Sequence, residues 1–135
     1  MAKTVIVDSG SLVALLRRDD QYHPWASSLT EQLGAPWCTC EAALSEAFFL
    51  LGRAGRSQLA EMLRRQLIVS NFSFDDEKTP TLDLMDKYAD VPMSLADACL
   101  VRMSEMLTDP IVVTTDSDFR FYRRHSRQVV PTLMP

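Results

Sequence analysis

The chain has 135 residues, 47% of them hydrophobic and 24% charged, which is the make-up of one globular domain with a real core and too little length for two. A net charge of −4 excludes a protein that coats nucleic acid indiscriminately, although the basic residues are 11 arginines against Lys3, Lys78 and Lys87, a bias suited to bidentate phosphate or carboxylate contacts. The apolar run after Lys3 stops at Asp8, and the run Ala47 to Leu51 is far too short to cross a bilayer, so neither signal peptide nor membrane span is expected and the reading is a cytoplasmic protein.

Thr4 to Val7 is a short continuous apolar run, as in a strand buried on both faces of a parallel sheet. Ser9 to Arg18 follows as a helix with Leu12, Leu15 and Leu16 inward, and a second helix starts near His23-Pro24. Trp37 to Thr39 reads as a strand, Glu41 to Arg53 and Gly55 to Gln66 as two helices, and Leu67 to Asn71 as a third strand. Asp75 to Lys78 opens a polar stretch; Pro80 begins the next helix, which ends near Asp90. Ser94 caps a helix from Leu95 to Leu107, Ile111 to Thr115 is the fourth strand, and Val129-Val130 a short last one. Strands alternating with helices imply parallel pairing and right-handed crossovers, hence an α/β/α three-layer sandwich with a mainly parallel sheet, formed by residues 1–135 as one domain.

Four acidic residues stand where an ordinary core would not put them. Asp8 directly follows the apolar run Val5-Ile6-Val7, and Asp116 follows Ile111-Val112-Val113 after Thr114-Thr115; in such sheets ligands bind beyond the carboxyl ends of the strands. Glu46 has Ala42, Ala43, Phe49 and Leu50 as its neighbours at helical spacing, which predicts an inward carboxylate, and Met93, Leu100 and Val101 flank Asp97 in the same way. Each has an ordinary structural explanation. Asp8 can cap a helix, Asp97 follows Ser94 at the capping-box spacing, and Asp116 and Asp118 can shape a turn. Glu41, at a helix start, suits the macrodipole and is left as structural. The combination carries the inference, because carboxylates gathered in one crevice repel each other and lose hydration, so they need a counter-charge or take up protons.

Taken together, Val-Ile-Val-Asp8-Ser9, Glu46 in Leu-Ser-Glu-Ala, Asp97 in Leu-Ala-Asp-Ala, and Thr114-Thr115-Asp116-Ser117-Asp118-Phe119 resemble the PIN-domain ribonucleases, particularly the VapC-type toxins of bacterial toxin-antitoxin pairs. The resemblance spans essentially the whole chain. It implies that Asp8, Glu46, Asp97 and Asp116 are the four catalytic acids, that Thr114 supports them, and that Asp118 is an extra carboxylate. It further implies a metal-dependent endoribonuclease leaving a 5′-phosphate and a 3′-hydroxyl, a small antitoxin partner that places a basic residue among the acids, and a homodimer. Gly10-Ser11 departs from the pattern, since many relatives carry Ser or Asn at the first of these positions. That puts the supporting contact near Asp8 in question.

The residue chemistry agrees with this. A cluster built from carboxylates alone is a hard oxygen site, suited to Mg²⁺ or Mn²⁺ rather than Zn²⁺. Asp8, Glu46 and Asp97 are the principal expected ligands, with Asp116 acting directly or through water. Asp118 to Arg127 interleaves arginines with aromatics beside the site, so Arg120, Arg123 and Arg124 are candidates for RNA phosphates, against the alternative of a solvated basic face over core aromatics. Phe48, Leu51 and Met62 either supply a dimer face or belong to the core.

Rival readings fail on particular residues. A receiver domain needs a lysine after a late strand, and none follows Asp90. Cys38, Cys40, Cys99, His23 and His125 lack the paired spacing of a zinc site, which leaves the cysteines as reduced packing residues. The serious alternative is a noncatalytic PIN-like module that binds RNA or protein. Retention of all four acids argues against it.

Overall fold

The computed structural model describes residues 2–135. In chain order these form β1 (Thr4–Val7), α1 (Ser9–Leu16), α2 (His23–Gln32), β2 (Trp37–Thr39), α3 (Glu41–Arg64), β3 (Ile68–Ser70), α4 (Phe74–Lys87), α5 (Leu95–Met106), β4 (Pro110–Val113), a short 3₁₀ turn (Ser117–Arg120), β5 (Arg123–Arg124), β6 (Gln128–Val129) and β7 (Thr132–Leu133). Five strands form one sheet in the order β3-β2-β1-β4-β7, and every pairing within it is parallel.

β1 is apolar throughout because it lies in the middle of that sheet, with helices on both faces. Val5 and Val7 join Leu12, Leu29, Leu44 and Leu59 in a core under α1, α2 and α3. Ile6 points the other way and joins Cys99, Leu100, Met103 and Val112 in a core under α5. The α/β/α layering is thus built by a side-chain period of two acting on a strand that must be apolar at every position. The three cysteines are buried and free, as expected of packing residues. No helix among the described residues is long and apolar enough to cross a membrane.

The strand order sets the position of the site. The chain moves outward from β1 to β2 and β3, then returns through α5 to place β4 on the opposite side of β1. The order therefore reverses between β1 and β4, whose registers bring Ile6 beside Val112 and Val7 beside Val113. At such a reversal the connections leave in opposite directions and open a crevice past the strand ends. Asp8 follows β1 into that crevice, and Thr114 follows β4.

Several boundaries differ from the sequence reading. The two helices expected at Glu41 to Arg53 and Gly55 to Gln66 form the single run α3, broken at Gly52, where φ is 66° and ψ is −159°. The left-handed φ favours a residue without Cβ, so the kink falls at this glycine rather than after Arg53. The helix expected to begin at Pro80 begins at Phe74, because Ser73 caps it by accepting a hydrogen bond from the Asp76 N–H. Pro80 is tolerated inside α4 because the chain has already left helical geometry at Glu77 (φ −108°, ψ 15°), which relieves the clash between the proline ring and the preceding turn. The last strand expected at Val129-Val130 is one arm of the antiparallel β5–β6 hairpin, and the sheet gains an unanticipated edge strand, β7.

Candidate active site

Asp8, Glu46, Asp97, Asp116 and Asp118 line one cleft of about 320 Å³, together with Ser9, Gly10, Ser94 and Thr115. The four expected acids and the extra carboxylate are therefore brought together from β1, α3, α5 and the segment after β4. No lysine, arginine or histidine among the described residues forms an ion pair with any of them; the observed pairs lie elsewhere, at Arg17–Asp19 and Glu77–Arg102–Glu105 for example.

Asp8 is 6% exposed and sits at the N-cap of α1. Its Oδ1 accepts the Ser11 N–H at 2.8 Å, and its Oδ2 accepts a hydrogen bond from the Thr114 hydroxyl. Thr114 is fully buried, and its Oγ1 in turn accepts the Asp116 N–H at 2.9 Å. Asp116 Oδ1 accepts the Asp118 N–H at 2.9 Å. Asp8, Thr114, Asp116 and Asp118 thus form one chain of hydrogen bonds across the strand ends, so the capping and turn-shaping roles are real and coexist with convergence on the cleft. Burial raises the Asp8 pKa, opposed by the Thr114 and Ser11 hydrogen bonds and reinforced by the nearby Asp116 charge.

Asp97 stands in the first turn of α5, where its N–H donates to Ser94 Oγ at 3.0 Å. Its carboxylate is directed elsewhere: Oδ2 accepts the hydroxyl of Tyr122 at 3.0 Å. Burial pushes the Asp97 pKa up to about 6; the Tyr122 hydrogen bond opposes this, and Asp116, Asp8 and Glu46 add to the rise by repulsion. Those repulsions put Asp97, Asp116, Asp8 and Glu46 within electrostatic reach of one another.

Glu46 corrects one expectation. It lines the cleft but is exposed rather than buried, with its Oε2 accepting from Ser9 Oγ at 2.9 Å. The inward stripe of α3 is Ala43, Leu44, Ala47 and Leu51, whereas Phe49 is 86% and Leu50 51% exposed. Leu51 therefore belongs to the core, and Phe48 and Met62 pack against it. An acid one position off a buried stripe reaches the cleft edge without losing its hydration.

Gly10 answers the question raised by the departure at Gly10-Ser11. A Cβ there would stand about 2.5 Å from Thr115 Oγ1, so the missing side chain leaves the space that the Thr115 hydroxyl fills. Ser11 supplies its backbone N–H to Asp8, while its hydroxyl donates to the Val113 carbonyl at 3.1 Å.

Tyr122 was not anticipated. It is fully buried, packed edge-on against Phe119 (ring centroids 5.1 Å apart) and Tyr88 (5.2 Å). Burial and the Asp97 charge push its hydroxyl pKa well above the usual range, which keeps it a neutral donor. Nothing local in the sequence marks it; the contact spans α5 and the segment after the 3₁₀ turn.

The arginines divide. Arg120 is exposed. Arg123 is half-buried and its Nη1 donates to the Arg120 and Tyr122 carbonyls at 2.7 and 2.9 Å, a structural use. Arg124 is also half-buried, with Nη2 3.3 Å from His125 Nε2.

The donor set is all oxygen and fits a small hard cation in chemical type. No three His, Cys, Asp or Glu side chains among the described residues converge closely enough to hold an ion as they stand. Each carboxylate rests instead on its own donor: Asp8 on Thr114, Asp97 on Tyr122, Glu46 on Ser9 and Asp116 on the Asp118 N–H.

No curated protein sequence matches the chain. Among solved structures, VapC20 of Mycobacterium tuberculosis, a toxin that cleaves the sarcin-ricin loop, is similar with a TM-score of 0.67 and 21% identity, covering 84% of this chain and 91% of that one. At that identity the likeness carries the fold. The PIN-domain family profile matches residues 5–124, a span that runs from β1 through all five acidic positions to the β5 strand. With the order reversal at β1 and β4 and the acids gathered past it, the match assigns the chain to the PIN-domain family.

Proposed function

We propose that residues 1–135 act as one nuclease domain, a metal-dependent endoribonuclease that hydrolyses RNA phosphodiester bonds as the toxin of a toxin-antitoxin pair. The observation that carries this reading is the convergence of five carboxylates on one cleft with no ion-paired cation among the described residues. A protein keeps such an arrangement at a cost in repulsion and desolvation, and a hard divalent cation with a phosphate is the ligand pair that removes it.

Asp8, Glu46, Asp97 and Asp116 would hold Mg²⁺ or Mn²⁺, which supplies activation of water and neutralisation of the charge that develops on the phosphate oxygens. The chain's own contribution is to hold these groups in place. Thr114 and the Ser11 N–H fix the rotation of the Asp8 carboxylate, and Tyr122 does the same for Asp97. Asp118, beside Asp116 on the cleft wall, adds negative charge that would help hold the cation. Arg120, exposed and two residues from Asp118 in the 3₁₀ turn, would serve a flanking RNA phosphate.

VapC20, which shares the fold, cleaves the sarcin-ricin loop, in keeping with an RNA substrate here, and the resemblance to VapC-type toxins implies a small antitoxin. An acidic cleft of this kind would be inhibited by an Arg or Lys of that partner entering among Asp8, Glu46, Asp97 and Asp116. Purified protein incubated with RNA, with Mg²⁺ or Mn²⁺ and then with EDTA, tests the reading. A noncatalytic module would bind RNA and leave it intact under every condition.

A further inference from the structure

A second depression of about 800 Å³ lies next to the acidic cleft and contains none of its five carboxylates. It opens past the carboxyl ends of β2 and β3, as the cleft opens past those of β1 and β4. Neighbouring strands are about 4.8 Å apart, so the two depressions are separated by roughly two strand spacings, on the order of 10 Å. They share a wall. On α3, Ser45 lines the outer depression and Glu46 the cleft; on α5, Leu95 and Cys99 line the outer depression while Ala96 and Asp97 line the cleft.

The lining of the outer depression differs in kind from that of the cleft. Phe74 and Leu95 are both large, apolar and more than a third exposed, and Phe72 lies buried behind them. Beside the hydroxyls of Ser45, Ser70 and Ser73, three side chains there carry carboxylate or amide oxygens: Asp75, which pairs with Lys78 at 3.1 Å, Glu41 and Asn71. Glu41 forms no ion pair among the described residues. Asn71 uses its Nδ2 on Cys38 Sγ at 3.4 Å, which leaves Oδ1 as a second acceptor. Among the described residues no lysine or arginine lines the depression, and Lys78, which pairs with Asp75 there, is held by that carboxylate.

An aromatic face, an aliphatic face and an unpaired carboxylate fit a flat ring that presents adjacent hydrogen-bond donors. Single-stranded RNA is read in this way, by stacking unstacked bases on aromatic side chains and hydrogen bonding their Watson–Crick edges. Guanine offers two neighbouring donors on that edge, which a carboxylate accepts together. Uracil offers one donor flanked by two carbonyls, which a carboxylate repels. We propose that this depression is a guanine-binding subsite that seats an unstacked base close to the scissile phosphate, with Phe74 as the stacking surface and Glu41 and Asn71 as readers of its edge. The proposal rests on the ribonuclease reading for its biological use, but the binding it requires does not depend on cleavage.

The test therefore uses binding. Protein in EDTA is titrated with guanosine 5′-monophosphate and with uridine 5′-monophosphate, following backbone amide resonances. The two probes carry the same phosphate, so a difference between them reports the base. The expected result is movement of the Asn71, Phe74 and Leu95 resonances by the guanine nucleotide at least tenfold more tightly than by the uracil nucleotide. That preference should be lost in Glu41→Gln, an exposed change that preserves the fold, and the affinity should fall severalfold in Phe74→Ala. Equal response to the two nucleotides, shifts elsewhere only, or an unchanged preference in Glu41→Gln overturns the subsite. If wild type fails to cleave RNA while the guanine preference stands, the nuclease reading falls and the subsite survives; the reverse pattern removes the subsite alone.

Discussion

The Tyr122 hydroxyl reaches across from the segment after the 3₁₀ turn to donate to Asp97 Oδ2 at 3.0 Å. Among the described residues it is the one side-chain donor on that carboxylate, and it works against the burial and like-charge repulsion that raise the Asp97 pKa to about 6. Tyr122→Phe keeps the edge-on packing against Phe119 and Tyr88 and removes the donor alone. Loss of such an outer partner typically costs about 10 to 100-fold in metal affinity or activity. Titration of wild type and Tyr122→Phe with Mn²⁺ should show that weakening with little change in thermal stability. An unchanged Mn²⁺ affinity would reduce Tyr122 to a core aromatic.

Metal-free stability should depend on pH in a direction set by Asp97. Its folded pKa of about 6 lies above the 3.8 of an unperturbed aspartate, so the folded state holds the proton more tightly than the unfolded one. The ionised carboxylate therefore costs stability above about pH 6, and the cost disappears as pH falls through 6 toward 3.8. Allowing for solvent screening of a side chain that is only partly buried, the cost is on the order of 1 kcal/mol. Thermal melts in EDTA should show a Tm rising by a few degrees from pH 7.5 to 5, with part of that rise absent in Asp97→Asn because the mutant has already shed the charge. A pH profile identical in both proteins would mean that Asp97 is not repelled.

Added Mn²⁺ should reverse the comparison. A ligand of the folded state stabilises by about 2.7 kcal/mol at a hundredfold excess over its dissociation constant, and Asp97→Asn should lose most of that gain. Were Asp97 merely a helix-capping residue, Asn would serve nearly as well and neither the metal-free Tm nor the metal response would change.

Gly10 supplies a structural test of the cleft floor. Gly10→Ala places a methyl about 2.5 Å from Thr115 Oγ1 and 3.8 Å from Asp8 Oδ1. Overpacking of this kind costs about 1 to 3 kcal/mol, and here Thr115 must move beside Asp8. Denaturant melts should show the loss, accompanied by weaker Mn²⁺ binding. A neutral substitution would mean that Thr115 has other room.

The positions of Asp8 and Asp116 are legible in the chain because Asp8 ends one apolar run and Asp116 comes two threonines after another, and the sheet turns those run ends toward one crevice. Asp97 is legible by its apolar neighbours. Glu46 is legible as a cleft residue but not in its exposure, since helical spacing alone cannot distinguish the stripe Ala43, Leu44, Ala47 and Leu51 from the adjacent Phe49 and Leu50. Tyr122, β7 and the β5–β6 hairpin are not legible, because each is defined by a partner distant in sequence: Asp97, β4, and a two-residue pairing without periodicity. Pro80 misleads for a different reason. It is a good first residue of a helix, but Ser73 caps earlier and the distortion at Glu77 makes room for the ring.

The most direct measurement is cleavage of single-stranded RNA by wild type and Asp97→Asn purified side by side, each with Mn²⁺ and with EDTA. The account predicts metal-dependent endonucleolytic products carrying 5′-phosphates from wild type and at least a hundredfold less from the mutant, with EDTA abolishing both. Equal cleavage by the two proteins, or wild-type cleavage that persists in EDTA, would contradict it.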